Sequence, residues 1–325
     1  MQAIQPYLKD FLGYMQQNAF KAAPSELYEP VDYILNLGGK RMRPVMLLMA
    51  YHLFKEDYQK ALPAAYTVEI FHNFSLVHDD IMDAAPLRRG KATVHHKWDV
   101  NTGILSGDAM LVYAYEYLLK IEDKTKLHAL VQTFNKAAIE VCEGQQYDVN
   151  FETRDDVQIE EYLKMIELKT SVLLAAGMKM GAIVAGASET EQEHVYQFGR
   201  NVGIAFQLQD DYLDSFGDPE KFGKKVGGDI IQNKKTYLIL KALECADADT
   251  RTELLQYITT TPTDEVAKIK AVKRILEQLD IPKCIKELKQ AYQDTAFQHL
   301  NAIEVADKRK QALIDIANAL LIREM

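Results

Sequence analysis

Three observations predict an all-α fold. Apolar residues recur at helical spacing along almost the whole chain, strand-like alternation is nearly absent, and no proline falls between Pro86 and Pro219. The 325 residues are 48% hydrophobic, enough to fill a sizeable core. Neither a linker nor a short repeat divides them, so residues 1–325 read as one domain.

In chain order, a first amphipathic helix is expected from Ala3 to about Phe20 and a second from Ser25 to Leu37, stopped by Gly38-Gly39. Lys40-Arg41-Met42-Arg43-Pro44 follows, which is either a basic turn between helices or an anion clamp built from cations beside flexible glycines. Pro44 opens an apolar helix over Val45 to Phe54. The next helix starts after Pro63 and runs to Leu76-Val77-His78-Asp79-Asp80-Ile81-Met82-Asp83. It is apolar on every side, with Glu69 its only charge before Asp79, and a helix of that kind is buried.

Asp79 and Asp83 share one helical face, with Cβ atoms roughly 6 Å apart. Two such carboxylates repel by roughly 3 kcal/mol at an effective dielectric of about 20, so the cluster needs cations or protons. All-oxygen ligands favour a hard cation, and Mg²⁺ completes its shell with water and substrate phosphate. After Pro86, Arg88-Arg89-Gly90 places guanidinium forks where they either neutralise the carboxylates or share a bound diphosphate. His95-His96-Lys97-Trp98 reads as a polar surface connection.

Helices are expected from about Gly107 to Leu119 and from Leu127 to about Tyr147. Another runs from Val157 past Lys169-Thr170-Ser171 into the small-residue run Leu173–Ala187, which permits close helix approach. Lys169 read alone is a snorkelling side chain. Ser188 and Glu191 form a capping box that starts a helix ending in Gln209-Asp210-Asp211-Tyr212-Leu213-Asp214, a second D-D-x-x-D after a second apolar helix. Gly217-Asp218-Pro219 breaks it. The glycine-rich loop from Phe222 to Asp229 lacks the spacing and strand of a P-loop, but Lys224, Lys234 and Lys235 supply cations just beyond the acidic motif. Amphipathic helices then return, with a cap at Thr263 and Asp280 preceding Ile281-Pro282.

A net charge of −9 argues against a nucleic-acid surface. Cys142, Cys245 and Cys284 are odd in number and far apart, which fits a reducing cytoplasm better than a disulfide framework or zinc site. The N-terminus has no secretory pattern, and no charge-free apolar run reaches about 18 residues, so no membrane span is expected.

With both acidic motifs, Gly-Gly-Lys-x-x-Arg-Pro, Arg-Arg-Gly and Lys-Thr in order, the chain resembles the trans-isoprenyl diphosphate synthases of the polyprenyl synthetase family. The motifs cover roughly Gly38 to Lys235. The resemblance implies antiparallel helices around a deep central cavity, a homodimer, and two Asp-rich motifs facing each other across the cavity mouth. It assigns Asp79, Asp80 and Asp83, with Asp210, Asp211 and Asp214, to about three Mg²⁺ ions. Arg88, Lys169, Thr170, Gln207, Lys224 and Lys234 match positions around the allylic diphosphate. Lys40, Arg43, His72 and Arg89 match the isopentenyl diphosphate site, and His72, two turns before Asp79, lies on the same helical face.

The implied reaction is ionisation of the allylic diphosphate and attack by the isopentenyl double bond, a head-to-tail (1′-4) condensation in a water-excluding cavity. Among relatives, two neighbouring aromatics just before the first motif accompany a C15 product, as does one aromatic with a two-residue insertion inside the motif. Phe74 and Ser75 with no insertion resemble the C20 pattern, with Phe71 the next barrier, so geranylgeranyl diphosphate is expected over farnesyl diphosphate. Three other classes share single features. They are an HD-type phosphohydrolase (His78-Asp79), a terpene cyclase (the first motif), and a non-catalytic regulatory subunit. None of the three needs both intact motifs together with the basic turns.

Overall fold

Leu62–Met82, the helix leading into the first acidic motif, is buried on nearly all sides, and the elements around it follow from that. The computed structural model describes residues 2–218, 226–259 and 264–321. Its helices are α1 (Gln5–Gln17), α2 (Ser25–Leu35), α3 (Met42–His52), α4 (Leu62–Met82), α5 (Val94–Lys97), α6 (Val100–Leu118), α7 (Leu127–Thr153), α8 (Ile159–Ile166), α9 (Val172–Ala185) and α10 (Glu189–Phe216). Then come α11 (Gly228–Ile231), α12 (Tyr237–Cys245), α13 (Ala248–Ile258), α14 (Glu265–Gln278), α15 (Ile281–Ala302) and α16 (Asp307–Leu321). Among the described residues the strands are β1 (Leu87–Arg88) and β2 (Lys91–Ala92), one antiparallel hairpin. The fold is all-α, as the periodicity requires.

The chain divides into two compact units. The first comprises Met1–Ala138, Leu173–Tyr196 and Ile303–Ile316. In it α4 packs mainly along α6, with α3 also against it. Two glycines make that approach possible. A Cβ on Gly103 would lie 2.9 Å from Ile81 Cδ1, and one on Gly107 would lie 2.6 Å from His78 Cδ2. Gly107 is thus a groove for α4 inside α6, not a helix start. The helix begins earlier, at Val100, where the Asp99 side chain accepts from the Thr102 amide at 2.8 Å. The small-residue expectation for α9 holds at Gly181, which lies against the Leu47 backbone of α3.

The second unit comprises Ile139–Val172, Gln197–Ala302 and Ala317–Met325. Its core includes Tyr162, Ile204, Leu208, Leu238, Leu254, Val272 and Ile285. Between α8 and α9 the backbone widens to a π-helical turn at Glu167–Ser171. Two glycines press on that turn: a Cβ on Gly144 would lie 2.7 Å from the Leu168 carbonyl carbon, and one on Gly203 would lie 2.8 Å from Ser171 Cβ. A π turn interrupts the regular ladder and is frequent at functional sites; this one carries Lys169 and Thr170. Ile159–Ala185 is long and apolar enough to cross a membrane by length and composition, but 83% of its apolar window is buried inside the protein, as in a core helix.

Several boundaries differ from the sequence reading. Helix α3 starts at Met42, ahead of Pro44, which sits in the first turn where a missing N–H costs nothing. Helix α7 extends to Thr153 and α1 stops at Gln17. His95 is half-buried in a short helix rather than on the surface. Lys169, half-exposed, carries its Nζ to 2.6 Å from Asp148 Oδ2, an ion pair that the sequence did not name. Lys224 and Thr263 lie outside the described residues, and the cap of α14 is Asp264, accepting from Ala267 N at 3.0 Å. The capping box at Ser188 is present, with Ser188 N donating to Glu191 Oε2 at 2.9 Å.

Candidate active site

The first unit gathers one group of the sequence-singled residues around α4. Asp83 is the C-cap, its amide donating to the Asp79 carbonyl at 2.9 Å, and Ala84 closes the helix at a left-handed φ of 48°. The chain then turns back through the β1–β2 hairpin. Its tip residues, Arg89 and Gly90, both have positive φ (54° and 75°), the twist a two-residue hairpin requires. The return brings Arg88 onto the acidic motif. Arg88 Nε lies 2.9 and 2.8 Å from the two Asp80 carboxylate oxygens, and Nη2 is 3.5 Å from Asp79 Oδ2. Asp80 is buried, Asp79 half-buried and Asp83 exposed. Of the two roles foreseen for the Arg pair, Arg88 here neutralises the carboxylates.

Arg89 faces the other way. Its guanidinium donates to the Gly38 carbonyl and packs where any side chain on Gly39 would clash, 2.9 Å from the Cβ position. Gly38 and Gly39 have φ of 89° and 121°, so that turn needs glycine for both its conformation and its neighbour. Lys40 follows, exposed. Arg43 Nη1 is 3.3 Å from His72 Nε2. A guanidinium can only donate, so His72 Nε2 accepts and the proton of the neutral ring sits on Nδ1. Burial, then Arg43 and Arg89, push the His72 pKa well below the ordinary histidine range. Burial also lowers the Arg43 pKa, and its buried Nε has no hydrogen-bond partner among the described residues. An orphaned donor beside a neutral histidine and further cations is an arrangement suited to an anion.

On the same helix, Phe74 and Phe71 have ring centroids 5.4 Å apart, and Phe74 meets His78 at 4.8 Å. Phe71 stacks edge-on against Phe134 at 5.3 Å, and Phe134 against Tyr115 at 5.0 Å. Ser75 turns its hydroxyl to the His72 carbonyl at 2.8 Å. Phe134 and Tyr115 come from α7 and α6, so no local pattern near the motif could have named them.

In the second unit, Asp210, Asp211 and Asp214 end α10 in a different setting. Asp211 is buried; it accepts hydrogen bonds from the Tyr162 hydroxyl and, at 3.2 Å, from Gln207 Nε2. Burial pushes its pKa up to about 7, with Asp229 and Asp210 adding to the rise, while the Tyr162 and Gln207 bonds oppose it. Asp214 Oδ2 accepts from the Asp229 amide at 3.0 Å. Thr170 Oγ1 is 3.5 Å from Gln207 Oε1, so the π turn and α10 bring Thr170, Gln207 and Asp211 into one chain. Lys234 Nζ is 3.5 Å from Asp229 Oδ1. Tyr162 and Asp148, partners of Asp211 and Lys169, were missed from sequence, as was the pairing of Glu69 with Arg41. Glu69 alone had left a signal, since a lone charge inside an apolar helix demands a cation.

Among the described residues no cluster of three His, Cys, Asp or Glu side chains is drawn together tightly enough to form a ready metal cage. Asp80 and Asp211 are engaged by protein donors instead. The donor set, carboxylates only, still fits a hard divalent cation that is shared with substrate phosphate.

An all-helical chain with two acidic helix ends and basic turns has the architecture of an isoprenyl diphosphate synthase, and the comparisons agree. The polyprenyl synthetase family profile matches residues 24–276. A short-chain isoprenyl diphosphate synthase of Methanocaldococcus jannaschii is 42% identical over 72% of this chain and 71% of its own. A geranylgeranyl diphosphate synthase of Methanosarcina mazei is 43% identical over 68% of each. A crystal structure of a geranylgeranyl pyrophosphate synthase superposes with a TM-score of 0.94 at 48% identity, covering 99% of both chains. The chain belongs to the polyprenyl synthetase family and is, like its members, a prenyltransferase.

Proposed function

We propose that this prenyltransferase condenses isopentenyl diphosphate with allylic diphosphates, head to tail, and stops at geranylgeranyl diphosphate. The observation that carries the reading is the layout of α4. One helix bears Phe71 and Phe74 of the aromatic stop, between them His72, which pairs with Arg43, and two turns further on Asp79 and Asp80, with Asp83 as its C-cap. Asp79, Asp80, Asp83, Asp210, Asp211 and Asp214 would hold about three Mg²⁺ ions. When bound, Mg²⁺ balances the charge of the allylic diphosphate as it leaves. Arg88, Lys169, Thr170, Gln207, Lys224 and Lys234 bind and orient that diphosphate. Lys40, Arg43 and Arg89 clasp the isopentenyl diphosphate, with His72 offering its Nδ1 proton as a neutral donor. The aromatic wall excludes water from the allylic cation, which the isopentenyl double bond then attacks. The proton lost from the condensed chain passes to the released diphosphate.

The whole chain would work as one polyprenyl synthetase domain in a cytoplasmic homodimer. Val100, Ile104, Leu105 and Val112 of α6 are exposed, Val112 by 68%, which supports a second copy covering this helix. Free Cys142, Cys245 and Cys284 suit a reducing compartment. Incubation with Mg²⁺, isopentenyl diphosphate and dimethylallyl diphosphate, read by mass spectrometry, tests the reaction. The expected product is C20 diphosphate; C15 would assign a farnesyl diphosphate synthase, and cyclised hydrocarbon would sink the proposal.

A further inference from the structure

We propose that Glu69 is a positioning residue for isopentenyl diphosphate, acting through Arg41 to set the Gly38–Arg43 turn. The inference rests on the assignment of Lys40, Arg43, His72 and Arg89 to that substrate. Glu69 is 2% exposed in the middle of α4, and Arg41 is 6% exposed. The Arg41 guanidinium donates through Nη1 to Glu69 Oε1 and through Nη2 to the Leu35 carbonyl at the end of α2. Asn73 Nδ2 donates to the same Glu69 oxygen at 3.0 Å. One side chain therefore ties the end of α2 to the middle of α4 beneath the basic turn.

The backbone explains why that tie matters. Arg41 has φ 50° and ψ 36°, a left-handed conformation that residues with a side chain rarely adopt, and it is the N-cap of α3. Its carbonyl accepts from the Val45 amide at 3.2 Å, so it fixes where α3 begins. Arg43 sits in the first turn of α3, and Lys40 immediately precedes Arg41. A strained residue persists only where its surroundings over-determine it, and the Glu69 and Leu35 bonds are what hold this one. Releasing Arg41 would let it relax and re-aim Lys40 and Arg43.

Charge points the same way. Glu69 is a buried carboxylate facing a cationic group made of Arg41, Arg43 and Arg89, with neutral His72 among them. Its field offsets the lowering that burial and neighbouring guanidiniums impose on Arg43 and Arg89. Glu69 makes no proposed contact with substrate. Its effect should therefore fall on one substrate's KM and not on turnover.

The test compares Glu69→Gln, the double variant Arg41→Met/Glu69→Leu, and Arg43→Ala in steady-state kinetics with each substrate varied, alongside thermal unfolding. Glu69→Gln should raise the KM for isopentenyl diphosphate about tenfold, with kcat and the allylic KM within about twofold. The double variant replaces the buried pair by apolar side chains, which restores stability when an ion pair is merely structural. It should unfold near the parent temperature yet keep the raised KM. An unchanged isopentenyl KM in folded Glu69→Gln, or a KM that recovers with stability in the double variant, would overturn the inference. Arg43→Ala separates the two layers. If it raises the isopentenyl KM while Glu69→Gln does not, only the positioning role falls; if Arg43→Ala leaves it unchanged, the substrate-site assignment falls and the positioning role with it.

Discussion

The two D-D-x-x-D motifs have the same spacing and opposite environments. In the first, Arg88 folds back from a hairpin and sets its guanidinium on Asp80, while Asp83 stands exposed at the helix end. In the second, a buried tyrosine hydroxyl and a glutamine amide hold Asp211, and burial lifts its pKa to about 7. The buried carboxylate of the first motif, Asp80, is thus met by a guanidinium, and that of the second, Asp211, by neutral donors and a raised proton affinity. Spacing says that three carboxylates meet; it does not say what offsets their charge.

The largest expected effect asks whether the two motifs are equally necessary despite this difference. Asp79→Ala and Asp210→Ala should each lower kcat/KM by about a thousandfold or more in Mg²⁺. The far-ultraviolet circular dichroism should not change, because removing one carboxylate relieves repulsion. Near-parental turnover in either variant would break the symmetry and leave that motif without a catalytic role.

Stability should separate the motifs where activity does not. Tyr162→Phe removes a buried donor from a buried carboxylate, and denaturant unfolding should report a loss of about 1–3 kcal/mol. Exposed Asp83→Asn should change stability by less than about 0.5 kcal/mol. Equal losses would mean that burial is not the difference that matters.

A smaller effect comes from the histidine of the first region. His72 has its folded pKa pushed below the unfolded value, so the unfolded chain takes up its proton first as pH falls. The stability tied to neutral His72 is present above about pH 6.5 and is lost below it, by at most about 1.4 kcal/mol per pH unit. His72→Gln should therefore lose less stability than the parent between pH 7 and pH 5 in matched urea titrations. Parallel curves would show that His72 is protonated in the folded protein.

The helices and both acidic motifs were legible because burial periodicity and repeated spacing are local signals. The errors share a physical cause. Gly107 was read as a boundary and proved to be a contact, the groove that seats His78, since one sequence cannot distinguish a glycine chosen for its φ from one chosen for lacking a Cβ. Lys169 was read alone because its partner Asp148 lies on α7, a different helix. The π turn carrying it has no composition of its own; the glycines that press on it, Gly144 and Gly203, are far away in sequence.

The last difference between the regions is aromatic, and its effect is on product length rather than rate. Helix α4 enters its motif through a ladder of rings, Phe71 to Phe74 to His78, buttressed by Phe134 and Tyr115. In α10 the positions that match Phe74 and Ser75 hold Ala205 and Phe206. If the growing chain runs down α4, Phe74 is met first, and its removal opens space only as far as Phe71, which is fully buried and held edge-on by Phe134. Phe74→Ala should therefore lengthen the product by a step or two beyond C20, and Phe74→Ala/Phe71→Ala by more, with kcat within about threefold. Phe206→Ala, on the other helix, should leave chain length unchanged. Phe134→Ala is the sharper probe, since it lies outside the motif and touches the stop only through Phe71: longer chains from it would assign the floor to the whole aromatic group. An unchanged distribution in Phe74→Ala, or lengthening in Phe206→Ala, would move the floor away from α4.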